Sequence, residues 1–323
     1  MSYKIQPFRG EHLEEAARLF AERIKVERTS SPLLPPRFED PSTILPLLKD
    51  LAARSPGVAA MGNGDLVGFM IGWRIPCWRG RRSVWVPEWA HAEAGEVRVK
   101  VLNDMYENLA REWVRDGCFT HLVGTLAGDK EIVDALFWLG FGLAAVDAMR
   151  DLGDVEGPFA DVDIRRADAG DLTTAESLSH DQERYMTASP TLMALEEKSS
   201  TEFHKETLAD PAKATWLASY ESEVVSRMLI GPSHDDAAYV ISDEGTASIT
   251  AAFTKGHVRE RGIGASLLRR ALEWAKAAGY VRCAVDFEPE NVLGRSFWLK
   301  HFRPVSFGLI RQVDPRVGRS GEV

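Results

Sequence analysis

The stretch that most constrains the fold is Val258-Arg259-Glu260-Arg261-Gly262-Ile263-Gly264-Ala265. A β-branched, apolar run precedes it (ASITAAFT, residues 247–254), and a strongly helical run comes after it (SLLRRALEWAKAA, residues 266–278). Strand, glycine-bearing turn and helix start is the geometry that gathers free backbone N–H groups around an anion. Gly262 and Gly264 let the backbone approach closely and accept positive φ, while Arg259 and Arg261 add positive charge. A pyrophosphate suits such a turn. The turn lacks the Lys-Ser/Thr that ends a nucleoside-triphosphate P-loop, and its spacing is not the dinucleotide G-x-G-x-x-G.

The order of elements continues in a defined way. Gly279 closes the helix, a second apolar run occupies residues 280–287 (YVRCAVDF), and Asn291-x-x-Gly294-x-x-Phe297-Trp298 comes next, leading into LKHFRPV. With the R-x-x-G-x-G-A spacing of Arg259, Gly262, Gly264 and Ala265, this stretch resembles the GNAT superfamily of acyl-CoA-dependent N-acyltransferases across residues 247–305. The resemblance implies that Val258, Arg259, Arg261, Gly262, Ile263, Gly264 and Ala265 hold the pyrophosphate of acetyl-CoA, the co-substrate. It implies that Asn291, Phe297 and Trp298 line the pantetheine arm and that no metal takes part. It also implies a cleft where the strands containing Ala252 and Val285 splay, with the Val258 N–H holding the thioester carbonyl. Asp286 is then the first candidate base, with Glu288 and His257 after it. An ordinary role stands beside each: His257 as a turn residue with a satisfied hydrogen bond, and Asp286 and Glu288 as loop carboxylates.

The sequence departs from the family pattern N-x-x-A-x-x-F-Y-x-x-x-G-F in several places. Gly294 replaces the alanine, a small-for-small change. Trp298 stands where many members carry the tyrosine that protonates the departing thiolate. An indole N–H donates but does not exchange its proton usefully near neutral pH, so that role does not carry over. The Gly-Phe pair is replaced by His301-Phe302, one residue early.

A chain of 323 residues favours two domains. The halves repeat one order of elements. Each opens on a strand and a helix (YKIQPFR then Glu11 onward; VDIRRAD then Asp171 onward), crosses a Pro/Ser-rich connection, and continues through a second helix and a hairpin. Each ends on strand, long helix, strand, short helix and strand, with Phe137-Trp138-Leu139 and Phe297-Trp298-Leu299 marking the same point. This is a tandem duplication: an α/β (α+β) fold of two GNAT-like domains, each a mixed, mostly antiparallel sheet flanked by helices. The expected limits are 1–154, a linker at 155–161 within GDVEGPFAD, and 162–323. The first copy has lost the phosphate turn. Its equivalent segment has one glycine, Gly95, places Glu93 and Glu96 where phosphate would be repelled, and has Asp129 or Glu131 near the asparagine position. It is expected to be degenerate, with coenzyme held by the second copy.

Composition narrows the partners. The chain is 45% hydrophobic and 27% charged, ordinary globular material, with a net charge of −9 that argues against nucleic acid. No apolar run reaches about 18 residues, so no membrane span is expected, and the start lacks the apolar core of a secretion signal. Cys77, Cys118 and Cys283 lie far apart and read as buried or idle thiols in a reducing cytoplasm. Trp73, Trp78, Trp85 and Trp89 with Arg74, Arg79, Arg81 and Arg82 read as core packing with a basic turn ahead of a domain contact or substrate wall. His234-Asp235-Asp236 reads as a solvated loop, since no further metal ligand stands at suitable spacing. Arg269 and Arg270 read as solvent-facing charges. Three functions fit: an N-acetyltransferase acting on a small-molecule primary amine, an acyltransferase with a longer acyl donor or a protein acceptor, and a non-catalytic coenzyme sensor or scaffold. The oligomeric state is left open.

Overall fold

The computed structural model describes residues 2–194, 200–233 and 238–319; the His234-Asp235-Asp236 fragment lies outside them. The elements of the first half are β1 (Lys4–Pro7), α1 (Leu13–Ser30), α2 (Pro41–Arg54), β2 (Gly57–Gly62), β3 (Asp65–Ile71), β4 (Trp73–Trp78), β5 (Arg81–Val86), β6 (His91–Glu93), α3 (Arg98–Arg115), β7 (Thr120–Leu126), α4 (Lys130–Trp138) and β8 (Gly142–Asp151). The second half follows the same order with two fewer described strands: β9 (Asp163–Arg166), α5 (Leu172–Thr187), α6 (Thr201–Ala209), β10 (Ala214–Tyr220), β11 (Glu223–Pro232), β12 (Thr246–Thr254), α7 (Ile263–Ala277), β13 (Arg282–Phe287), α8 (Val292–His301) and β14 (Arg303–Gln312). Mixed sheets flanked by helices are what the sequence pattern predicts.

The chain divides into two compact units: residues 1–146, 238–240 and 305–323, and residues 147–237 and 241–304. The division therefore differs from a simple cut at a linker. Residues 305–323 join the first unit because β14 pairs antiparallel with β7, from Ser306↔Leu126 to Gln312↔Thr120. Residues 147–154 fall in the second unit.

In the first unit β1, β2, β3 and β6 form one sheet, and β4, β5, β7 and the later part of β14 run side by side in another. The β2–β3 hairpin turns through Asn63 (φ 53°) and Gly64 (φ 95°), as the Gly-Asn-Gly-Asp cluster predicts. The core contains Phe20, Phe69, Met70, Leu102, Met105 and Trp113, all fully buried. The tryptophan–arginine cluster falls on the β4–β5 hairpin, with its basic turn at Arg79 and Gly80 and Trp89 half-buried beyond it.

In the second unit the strand order is β13-β12-β11-β10-β9, antiparallel except between β12 and β13. The buried stripe of α7 (Leu267, Leu268, Ala271, Leu272 and Ala275) packs on β10, β11 and β12. Leu178 of α5 meets Leu217 and Phe253 in a separate buried cluster. Of the cysteines Cys77 is exposed, Cys118 and Cys283 are buried, and none is bridged. Among the described residues no helix is long and apolar enough to cross a membrane, and no group of metal-ligating side chains gathers.

Candidate active site

The site begins where two parallel strands part. β12 pairs with β13 from Thr246↔Arg282 to Ile249↔Val285 and no further. Against β11 the register steps from Ile230↔Ile249 to Leu229↔Ala251, so Thr250 is an extra residue in β12. Such a bulge bends and twists its strand, which turns β12 away from β13 just where their pairing ends. The backbone of the freed edge can be assigned by alternation. Lys255 N–H donates to Val225 O at 2.9 Å, which makes that pair hydrogen-bonded. Thr254 and Ala252 then turn their N–H and C=O groups to the opposite, open edge. Consistent with this, Thr254 C=O accepts from Arg259 Nε at 2.9 Å.

The strand runs into the glycine turn. Val258 N–H is already committed, donating to Lys255 O at 3.2 Å. It is therefore not free to hold a thioester carbonyl, and the open edge at Ala252 and Thr254 offers the unclaimed backbone instead. Gly262 has φ 85° and begins α7 without a side-chain cap. A Cβ there would lie 2.4 Å from Pro158 O, so glycine is required both by conformation and by space. The first intrahelical donor is Ser266, to Gly262 O at 3.0 Å. The N–H groups of Ile263, Gly264 and Ala265 come before it and point out of the helix end. A Cβ on Gly264 would meet Phe297 at 3.2 Å.

These parts enclose one cavity of about 400 Å³. Asn291 caps α8, accepting from Gly294 N–H at 3.0 Å, and its Oδ1 also accepts from the Tyr185 hydroxyl at 3.0 Å. The Arg259 guanidinium lies 4.0 Å over the Tyr185 ring. A Cβ at residue 294 would sit 2.6 Å from Asn291 Nδ2, so the glycine there makes room for the capping amide. Trp298 is buried, with Phe297 and Phe302 packed at its edges (ring centroids 4.9 and 5.5 Å). His301 also lines the cavity; burial, then Lys300 and Arg150, hold its imidazole below the ordinary histidine value.

Of the residues that sequence reasoning assigned to coenzyme, Val258, Arg259, Gly262, Ile263, Gly264, Ala265, Asn291, Phe297 and Trp298 line this cavity. Arg261 does not; it donates to the Tyr220 hydroxyl at 3.0 Å on the surface. Asp286, Glu288 and His257 are not in the lining either. Asp286 is exposed at the end of β13, and His257 is an exposed neighbour of Glu223 (3.7 Å). Sequence reasoning missed Tyr185, Gln182 and Arg227. A signal existed for Arg227, a lone cation inside the apolar run of β11.

The first unit lines its corresponding place with ion-paired side chains. A cavity of about 490 Å³ lies between α1 and the start of α3. Asp129 is paired with both Arg23 (3.3 Å) and Arg98, and Arg98 also holds Glu131 at 2.7 Å. Glu27 accepts from Gly128 N–H at 3.1 Å, and burial raises its carboxyl above the usual range. Glu93 is buried beside His91 at 2.9 Å, whereas Glu96 is exposed.

Residues 176–302 match the model of the Acetyltransferase (GNAT) family. No curated protein matches the chain. Among solved structures, a GCN5-related N-acetyltransferase from Sphaerobacter thermophilus is 13% identical, with 96% of this chain and 95% of that one covered and a TM-score of 0.57. A GCN5-related glucosamine N-acetyltransferase region of a fungal multi-domain GH3 β-N-acetylglucosaminidase is 14% identical, with 96% and 38% covered and a TM-score of 0.55. A tandem GNAT protein from the clavulanic acid biosynthesis pathway is 11% identical, with 97% and 99% covered and a TM-score of 0.52. At such identities the likeness is one of fold. Residues 176–302 thus match the Acetyltransferase (GNAT) family model, and the chain, over nearly its whole length, has the fold of GNAT proteins, a tandem one among them.

Proposed function

We propose that this protein is an N-acetyltransferase that moves the acetyl group of acetyl-CoA to the primary amine of a small molecule by direct attack, within residues 162–304. The observation that carries this reading is the meeting, in one cavity, of the freed edge of β12 with the uncapped N-terminus of α7. Pyrophosphate sits on the N–H groups of Ile263, Gly264 and Ala265, where the helix dipole favours negative charge. The pantetheine arm runs along the open edge of β12 beside Asn291. Thr254 N–H donates to an amide carbonyl of the arm, and Ala252 N–H, further from the turn, donates to the thioester carbonyl and its developing negative charge.

The neutral amine attacks the thioester carbon, a C–N bond forms and the C–S bond breaks. The amine nitrogen loses a proton and the thiolate gains one. Trp298 does not supply that proton, and the Tyr185 hydroxyl is engaged by Asn291, so the sulfur is protonated through water. Asp286 and Glu288 come after Val285, the last paired residue of β13, and are the bases to test through one bridging water. The first unit, with its cavity crossed by ion pairs, is assigned no coenzyme.

The experiment is to incubate the full chain with acetyl-CoA and a panel of primary amines and to follow free thiol. The expected result is amine-dependent thiol release, with Trp298→Phe losing only a few-fold and keeping its pH profile. Protection of the protein from heat by acetyl-CoA with no release for any amine would instead favour a coenzyme-binding protein without turnover. Neither protection nor release would overturn both.

A further inference from the structure

The cavity wall contains a buried cation that coenzyme binding leaves unused. Arg227 lies in β11, is only 8% exposed, and lines the cavity. Its cross-strand partners are Leu217 and Phe253, which pack with Leu178 of α5, so its side chain is on the α5 face of the sheet. There Nη2 donates to Gln182 Oε1 at 2.9 Å and Nη1 reaches Ala175 O at 3.4 Å. Nε is buried with no partner. Among the described residues no carboxylate pairs with this guanidinium, in contrast to Arg23 of the first unit, whose Nε faces Asp129 at 3.3 Å.

A buried ion without a counter-ion costs several kcal/mol. Burial alone pulls the Arg227 guanidinium down to about 10. No described carboxylate offsets that cost, yet the protein keeps the charge at the wall of the cavity that joins a freed strand edge to a helix N-terminus. The place within the cavity matters. The turn, α7 and α8 contribute the residues assigned above to coenzyme, while Gln182 and Tyr185 of α5 and Arg227 and Met228 of β11 line the same cavity. Tyr185 links the two groups, with its hydroxyl on Asn291 and its ring under Arg259. Arg227 belongs to the α5–β11 group, to which coenzyme has not been assigned.

We propose that Arg227 seats a carboxylate of the acceptor, so that the substrate is an amino acid or similar molecule carrying both a primary amine and a carboxylate. The inference rests on the acetyl-transfer reading above. A guanidinium's paired N–H donors match carboxylate geometry, and such charge-assisted pairs are the strong ones. A site built this way rejects an analogue that lacks the partner group, because the buried donors are then left unpaired.

The test compares matched acceptors, α- and ω-amino acids against their carboxamides and against alkylamines of the same length. Two measurements are made: kcat/KM from free thiol, and the thermal shift each compound gives to protein saturated with coenzyme A. The expected result is a preference of about tenfold or more for the carboxylate member in kcat/KM, with a matching difference in thermal shift. Arg227→Met should level each pair while acetyl-CoA still protects the variant from heat, and Arg227→Lys should keep part of the preference.

Equal use of both members by the unaltered protein, or a preference that survives Arg227→Met, overturns the proposal, as does the lack of a carboxylate-dependent signal in both measurements. Two further arms locate the anion. If a neutral amine reacts faster with succinyl-CoA than with acetyl-CoA, and Arg227→Met removes the difference, the carboxylate belongs to the acyl group and the proposal fails. If aminoalkyl phosphates outperform amino acids, the seat is for phosphate and the carboxylate assignment fails. Loss of acetyl-CoA protection in the unaltered protein defeats the transfer reading itself, a separate outcome.

Discussion

The two units solve the same strand problem differently. In the second, the single strand β12 pairs first with β13 and then only with β11, with a bulge at Thr250 between. In the first, two strands divide the work. β5 pairs parallel with β7 from Ser83↔Thr120 to Val86↔Val123, and β6 pairs with β3 from His91↔Met70 to Glu93↔Gly68. Residues 87–90 separate them, and Glu88 there is fully buried, accepting from Val240 N–H at 3.0 Å. The helix starts beyond these strands differ as well. One unit presents a bare glycine helix start, and the other places Arg23, Arg98, Asp129 and Glu131 in mutual contact. A duplicated fold thus keeps its order of elements through apolar patterning spread over many residues, while a ligand site depends on a handful and is altered by a few changes.

The largest expected effect tests whether those ion pairs now hold the first unit together. The side chains of Arg23 and Asp129 are 7% and 8% exposed, so Asp129→Asn leaves a buried guanidinium uncompensated. The expected loss is about 3–5 kcal/mol in urea denaturation, whereas Arg227→Met in the second unit, which strands no partner charge, should stay within about 1 kcal/mol. Near-equal costs for the two would erase the contrast.

Acid should act next most strongly. Burial holds the His121 imidazole down to about 4, with the Tyr106 hydroxyl 2.8 Å away and Cys118 O at 3.1 Å. The unfolded chain takes up that proton near 6.5, so it binds more protons than the native state between the two values. Stability is therefore unaffected by this group above pH 6.5 and falls as pH drops toward 4, by roughly 3 kcal/mol in all. His121→Gln should flatten the decline measured by denaturation at each pH. A slope unchanged by that variant would place the acid sensitivity elsewhere, His204 and His301 of the second unit being the other histidines held low by burial.

Much of this was legible in the sequence for physical reasons. Glycines at positions of positive φ, such as Gly64, Gly262 and Gly279, mark turns and helix ends directly. The glycine turn before α7 and the spacing from Asn291 to Trp298 pointed in advance to residues that form one part of the cavity lining. The other part was not legible, because it is assembled from α5 and β11, whose contributing residues meet only through strand pairing. Pairing also decides which backbone groups are spent. Register and one hydrogen bond at Lys255 determine that Val258 N–H closes a turn while Ala252 and Thr254 face an open edge, and spacing reveals neither.

The most direct test of the account is a calorimetric titration of the full chain with acetyl-CoA, repeated on Gly264→Glu and Gly95→Glu after circular dichroism has shown both variants folded. The account predicts one site per chain, abolished when a carboxylate at residue 264 faces the phosphates and unchanged by the same substitution at residue 95. Two sites of similar affinity, or a single site that persists in Gly264→Glu and vanishes in Gly95→Glu, would contradict it.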